Sequence, residues 1–377
     1  MWIYIQSILV YLTLLVLMVA LSKTAIKNNK YGFVVAAIFL YALVLGLRYG
    51  VGMDYFGYLD IYESYVKFGS VRHEDMEIGF LGLVKITALF HSSVVYFALI
   101  AFLNLFFMTY ALKGNLRLYP YLFFVFMLTG AWMAPANLAR QCLAVSLWTF
   151  SVKFAVEKKL MFHYIFVLLA ISFHYSAVFL VLFYPLLAYK QDWFRNIRIE
   201  VLMLVAALVV MNLNFVQDAI QRYDNILIFF GYDIYTSADY EDLLDRELVL
   251  GVGFFIKLFI NVINILSSEK VKKWVNNPYY NAIYSLYFIG VLASYVFATS
   301  EMISRVNLYF ISFTYIITSF TLYYSIVNRK KSLRLATMCL VALSFVAIMY
   351  KASTNWNLFV FKGQQEYYYL HRDHDKR

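Results

Sequence analysis

Four short segments concentrate the residue types able to do chemistry. The first is Arg48-Tyr-Gly-Val-Gly-Met-Asp54-Tyr55-Phe-Gly-Tyr58, a cation and an acid on either side of a Gly-x-Gly turn. Gly50 and Gly52 let the backbone bend sharply or approach a ligand closely. Tyr55, Tyr58 and Tyr62 also fit an interfacial aromatic belt, with Arg48 snorkelling to headgroups. The second is Asn137-Leu-Ala-Arg140-Gln141, just after Pro135. Pro135 breaks the chain and Asn137 caps the helix that follows. Asn137, Arg140 and Gln141 then share a face at i, i+3, i+4, among the small residues Ala136, Ala139 and Ala144. A cation one turn inside a helix N-terminus opposes the macrodipole, so a bound anion explains Arg140 well; a structural ion pair is the plainer alternative. The third is His174 in Ser172-Phe-His174-Tyr-Ser176, whose plainer role is hydrogen bonding at a helix end. The fourth, Ser300-Glu301-Met-Ile-Ser304-Arg305-Val-Asn307, sets Glu301 and Arg305 at i, i+4, where they can simply pair. Arginine's planar fork grips phosphate bidentately and stays charged. Arg48, Arg140 and Arg305 together suit a pyrophosphate.

Metal chemistry has little to stand on. His73, His91, His163, His371 and His374 are dispersed or lie in tails, and none has ligand spacing. Cys142 and Cys339 both sit in apolar runs, which offers neither a disulfide framework nor a zinc site. The sequence therefore calls for no metal and no cofactor.

The elements that must position these residues are set by the solvent. Of 377 residues, 63% are apolar, 20% aromatic and only 14% charged, with a mean hydropathy of +0.68. A soluble chain carries about a quarter charged residues, so lipid must surround much of this one. Four prolines and 15 glycines leave no room for linkers, which predicts a single transmembrane domain over 1–377. Windows of about 20 apolar residues predict an all-α polytopic bundle of about 12 transmembrane helices. They fall at 2–21, 31–47, 94–112, 118–134, 137–156, 160–173, 175–189, 199–215, 248–266, 279–298, 302–327 and 333–350. The stretch 160–189 is tight for two crossings and breaks at His174. Lys257 falls near the middle of its span, where it faces a polar cavity or pairs with an acid. No segment alternates as a transmembrane strand does, Met1–Gln6 lacks the basic start of a cleavable signal peptide, and no internal repeat is visible.

Sidedness turns on 77–90, an apolar run of 14 residues with Lys85 inside it. If it does not cross, the connections 22–30, 113–117, 153–159, 190–198, 269–273 and 328–334 lie together on the cytoplasmic side and hold 18 Lys and Arg. If it crosses, fifteen of those cations fall outside, against the positive-inside rule. The run is therefore read as a half-depth helix with both chain termini outside. The net charge of +10 is mostly this topology signal and needs no nucleic acid. Two segments, 48–76 and 216–247, face outward as loops. The second holds Asp218, Asp224, Asp233, Asp239, Glu241, Asp242, Asp245 and Glu247, and is either a solvated loop or a lid over an external site. Arg48, Arg140 and Arg305 gather at the same outer face.

In order along the chain, Arg48-Tyr-Gly-Val-Gly-Met-Asp54, Glu77-Ile-Gly-Phe80, Asn137-Leu-Ala-Arg140-Gln141 and His174-Tyr-Ser176 resemble the EpsG-type polysaccharide polymerases, which belong with the Wzy O-antigen polymerases. The resemblance is clearest over about 1–190. Beyond that only Ser304-Arg305-Val-Asn307 fits the pattern, and Met53 stands where a small or hydroxylated residue is usual. It implies a helical membrane fold akin to the metal-independent lipid-linked glycosyltransferases (GT-C-like), in the bacterial inner membrane with its site facing the periplasm. The substrates implied are a donor glycan on undecaprenyl pyrophosphate and an acceptor lipid-linked repeat unit, with a chain-length regulator as a possible protein partner. Arg140 and Arg305 would stabilise the leaving pyrophosphate, with Arg48 on a second phosphate or shaping the site. His174, Asp54 and Glu301 are candidates for the base, His174 slightly ahead because imidazole titrates near neutrality. Asn137 and Gln141 complete the binding face, while Tyr55 and Tyr58 would stack sugar rings. The rivals are a flippase for lipid-linked oligosaccharide, which needs cations at several depths, a ligase for finished glycan, or a membrane acyltransferase.

Overall fold

The computed structural model describes residues 2–71, 76–211, 250–352 and 358–364. These are helical throughout, without a strand, and the only bridge among them joins Arg48 to Phe361. Among the described residues, five helices are long and apolar enough to cross a membrane: Trp2–Asn28, Ser93–Tyr110, Val252–Val275, Ile303–Val327 and Lys331–Tyr350. Large apolar side chains stand on their outer surfaces, including Leu9, Val16, Phe259, Leu343 and Val346. Helices this apolar on every side need lipid around them, and the chain is membrane-embedded.

The chain forms two compact units, residues 1–147 with 341–377, and residues 148–340. In the first, the Gly32–Gly46 and Ser93–Tyr110 helices cross closely. A Cβ on Gly46 would come 2.6 Å from the Val94 carbonyl oxygen and 2.8 Å from the Ala98 Cβ. Small residues at a crossing are how helices approach in lipid, where apolar burial drives nothing. Segment 358–364 ties several helix ends together. The Tyr49 N–H donates to the Val360 carbonyl (2.7 Å), the Lys362 N–H to that of Leu47 (2.9 Å), the Phe359 N–H to Ser7 Oγ (2.7 Å), and the Lys362 ammonium to Ser93 Oγ. Residue 7, residue 47 and residue 93 thus lie at one end of the unit.

One expectation changes here. The segment 48–76 is not simply a loop, because Tyr55–Phe68 is a helix closed by left-handed Gly69 (φ 72°). It buries Tyr55, Tyr58 and Tyr62, with Tyr55 stacked on Phe97 at 4.7 Å and Tyr62 on Tyr96 at 4.9 Å. These rings pack in the interior and do not form a belt. The run 77–90, read as a half-depth helix, forms the helix Ile78–Ala88 of 11 residues. At 1.5 Å per residue it reaches about 16 Å, half a hydrocarbon core.

In the second unit the chain breaks at His174, as expected, between Leu160–Phe173 and a 3-10 helix, Tyr175–Phe183, that continues as Tyr184–Tyr189. The tighter helix resolves the shortage of residues. At about 2.0 Å per residue it stretches the 175–189 segment to roughly 27 Å, near the bilayer thickness. Pro278–Val296 packs backbone to backbone against Glu301–Ile311, where a Cβ on Gly290 would sit 2.6 Å from the Ile311 nitrogen. The presumed connection 269–273 is the last part of the Val252–Val275 helix. On that helix Lys257 is exposed. The 216–247 segment lies outside the described residues.

Candidate functional site

In the first unit the site is built on a docked turn. Gly50 (φ 61°) and Gly52 (φ 99°) take left-handed conformations open to glycine and strained for other residues. Gly52 is also pressed against its neighbour, since a Cβ there would meet the Ala136 carbonyl oxygen at 2.6 Å and Asn137 Oδ1 at 2.8 Å. Pro135 lies within a short helix, Met133–Asn137, and the chain kinks at Leu138 before Ala139–Val156 begins. Asn137 therefore precedes the kink and does not cap the longer helix. Its Oδ1 instead accepts from the Met53 N–H at 2.7 Å, pinning the glycine turn. The expected shared face of Asn137, Arg140 and Gln141 is interrupted by the same kink, and Gln141 points into the interior, 3% exposed.

Two arginines flank this turn in different environments. Arg48 is 3% exposed; its guanidinium donates one long bond to the Ala136 carbonyl (3.4 Å) and lies 4.9 Å from the Phe97 ring and 5.8 Å from Tyr55. Its Nε is buried without a hydrogen-bond partner, and no carboxylate among the described residues is within ion-pair distance. Arg140 is paired: Nη1 donates to Glu77 Oε2 at 2.7 Å, with the arginine side chain 37% exposed and the carboxylate nearly covered. The ion pair considered for Arg140 is thus present; its side chain stays partly exposed, and its Nε is buried without a hydrogen-bond partner. Burial raises the Tyr58 phenol, and the neighbouring Arg140 opposes that rise. Burial likewise pushes the Tyr55 phenol up to about 12 against the pull of Arg48. Both tyrosines stay neutral donors at physiological pH. Asp54, at the start of the tyrosine helix, is exposed.

In the second unit His174 is half-buried with extended backbone. Its Nδ1 accepts from the Ser176 N–H at 3.3 Å and lies 2.7 Å from Ser176 Oγ, which in turn lies 3.0 Å from the Tyr309 hydroxyl. Tyr309 is anchored through its carbonyl, which accepts from the Trp148 indole (3.0 Å). Ser300 caps the Glu301–Ile311 helix by accepting from the Ile303 N–H. Arg305 sits half-buried one turn along it, and Asn307 donates to the Gly290 carbonyl and Ser294 Oγ, locking the crossing with Pro278–Val296.

Of the expected set, Arg48, Asp54, Tyr55, Tyr58, Asn137, Arg140 and Gln141 belong to the first unit, and His174 and Arg305 to the second, where the side chain of Glu301, with its expected pairing to Arg305, lies outside the described residues. Sequence reasoning gave no role to Glu77, Ser176 or Tyr309. Glu77 and Ser176 stood inside motifs already singled out, whereas Tyr309 follows Asn307 in a run that looks purely apolar.

The model of the EpsG family matches residues 30–362. No curated protein and no solved structure matches the chain.

Proposed function

The chain belongs to the EpsG family, of polysaccharide-synthesis membrane proteins, and we propose that it polymerises a bacterial surface glycan such as O-antigen. The substrates are undecaprenyl-pyrophosphate-linked repeat units, and the reaction is metal-independent glycosyl transfer at the periplasmic face of the inner membrane. In this reading the chain has about 12 spans in a GT-C-like arrangement, with Ile78–Ala88 at half depth.

The observation that carries the proposal is Arg48. Among the described residues Arg48 has no counter-ion; a buried cation so placed costs several kcal/mol (order of magnitude) unless something pairs with it, and an anionic substrate supplies that partner. Phosphate oxygens suit a guanidinium bidentately. Arg140, partly exposed, offers its guanidinium to a second phosphoryl group while Glu77 holds it in place. As the acceptor hydroxyl attacks the donor's anomeric carbon, the bond from that carbon to the pyrophosphate oxygen breaks and charge builds on the leaving group. Fixed cations aimed at that charge lower the barrier; Arg140 is assigned this role in the first unit and Arg305 in the second. The acceptor proton passes to a base drawn from Asp54, Glu301 and His174. Asn137 pins the Gly52 turn beside the two arginines, Gln141 packs behind it in the interior, and Tyr55 and Tyr58 back the site with aromatic surface.

The test is a deletion strain of the source bacterium complemented with wild type, Arg48→Ala, Arg140→Ala or Arg305→Ala. The deletion is expected to reduce a ladder of surface glycan to a single capped repeat unit, and the variants to fail to restore it at normal protein levels. A full ladder from all three would refute the arginine site. Loss of even the single unit in the deletion would instead mark a flippase or ligase.

A further inference from the structure

The start of the last long helix carries an uncompensated group of cations. Arg329, Lys330, Lys331 and Arg334 fall within six residues, and no acid stands between Glu301 and Glu366. All four are exposed, and none pairs with a carboxylate among the described residues. The positive-inside rule accounts for their charge but not for their placement. The chain reverses at Arg329 (φ 53°), and Lys331 begins the Lys331–Ala352 helix. Lys331, Arg334, Leu335 and Met338 follow the spacing i, i+3, i+4, i+7 and so share one face. That face is charged over its first turn and apolar beyond it. Together with Ile326, from the end of the Thr314–Val327 helix, it lines an open groove of about 560 Å³. All the lining residues belong to the second unit. The apolar wall is uncovered, with Leu335 66% and Met338 40% exposed. Cations in a first turn oppose the helix macrodipole, and the N–H groups there have no intrahelical acceptors. An anion at that point answers both.

We propose that this groove binds one anionic phospholipid, its phosphodiester on Lys331 and Arg334 and an acyl chain along Leu335, Met338 and Ile326. Arginine meets phosphate oxygens bidentately, and lysine meets them as a point charge. At 1.5 Å per residue, Met338 stands about 10 Å further along the helix than Lys331. The order from charged to apolar is therefore the order of a lipid entering the bilayer. Leu343 and Val346 continue the exposed apolar surface of the same helix, so the groove opens where lipid is the neighbour. A small soluble anion would use the cations and leave the apolar wall bare. An apolar molecule would cover the wall and leave the cations unmatched. Arg329 and Lys330 do not line the groove and contribute only the general attraction of cations to an anionic leaflet.

That division sets the test. Full-length protein in a neutral detergent, at physiological ionic strength, is given phosphatidylglycerol or phosphatidylcholine, and native mass spectrometry reads the last lipid retained. Wild type is expected to hold phosphatidylglycerol in preference by on the order of tenfold. Lys331→Gln with Arg334→Gln is expected to lose most of that preference. Arg329→Gln with Lys330→Gln removes the same charge from outside the groove and is expected to stay within about twofold of wild type, because diffuse attraction is screened by salt. Met338→Trp fills the groove without changing the charge and is expected to lower phosphatidylglycerol retention severalfold. It decides the matter alone should the groove double variant fail to fold. Equal losses in the two double variants would leave only diffuse attraction and overturn the proposal, as would a wild type indifferent to the headgroup. Glycerol phosphate that competes as well as phosphatidylglycerol at equal concentration would overturn it too, since the site would then take a free anion and no acyl chain.

Discussion

Arg48 and Arg140 stand on either side of one docked turn, and their surroundings divide the work. Arg140 is paired with Glu77 and its side chain stays partly exposed, though its Nε is buried without a hydrogen-bond partner. Arg48 is enclosed by rings and one carbonyl, with its Nε unmatched. What holds both in register is Gly52, whose missing side chain lets the Ala136 carbonyl and the Asn137 amide close on the backbone. Gly52→Ala combines a positive φ with a contact no flexible atom can relieve. It is expected to cost about 1–3 kcal/mol and to abolish chain growth even where the protein accumulates. Thermal unfolding in detergent, read beside complementation, checks this, and an alanine variant with wild-type stability and a full ladder would contradict it. The arginines, the glycine turn and His174 were all legible in the sequence, because charges and glycines are conspicuous in an apolar chain. The partner of Arg140 was not, because Glu77 lies 63 positions away and its pairing exists only through the fold.

Elements were legible where hydrophobicity alone decides them and obscure where aromatic residues have two uses. Tyr55, Tyr58 and Tyr62 follow the i, i+3, i+7 spacing of a helix face, but tyrosine also favours membrane interfaces, and the expected loop proved to contain a helix. The Val252–Val275 helix held a similar signal. Asn261, Asn264, Ser268 and Lys272 recur on one face and are all buried, bonding Tyr295, Tyr287, Thr318, Glu200 and Asp192. Polar groups joined across helices serve as glue in lipid, and window hydropathy averages such a stripe away. The glycines of the two units make opposite predictions. At Gly290 an added Cβ would strike the backbone of residues 310 and 311, so Gly290→Ala must force the helices apart and lower the melting temperature. Gly57 lies exposed in the Tyr55–Phe68 helix with nothing within 4 Å of such a Cβ. Gly57→Ala is therefore expected to stabilise by roughly 0.5–1 kcal/mol through helix propensity. Melting curves of the two variants should move in opposite directions; a common direction would contradict the crossing geometry.

At the scale of the whole molecule, sidedness hangs on the shortest of the apolar helices. The positive-inside count requires that 77–90 enter and leave on one side. The structure offers an independent line of support within the first unit. Glu77, at the start of that helix, reaches Arg140, just beyond the Ala136–Asn137 segment that holds the Gly52 turn. Ser93, shortly after the helix ends, binds Lys362, whose backbone N–H in turn bonds Leu47. Residues 47 to 53 therefore link both flanks of the helix to the same end of the unit, and a length of about 16 Å leaves it short of a crossing. Asp60 and His91 are both exposed and bracket the segment. With Cys142 and Cys339 replaced by alanine, Asp60→Cys and His91→Cys are expected to react alike with a membrane-impermeant maleimide added from outside, while Lys158→Cys reacts only after permeabilisation. Opposite behaviour of positions 60 and 91 would mean that the helix crosses, and would move Arg140, His174 and Arg305 to the cytoplasmic side, away from any periplasmic substrate.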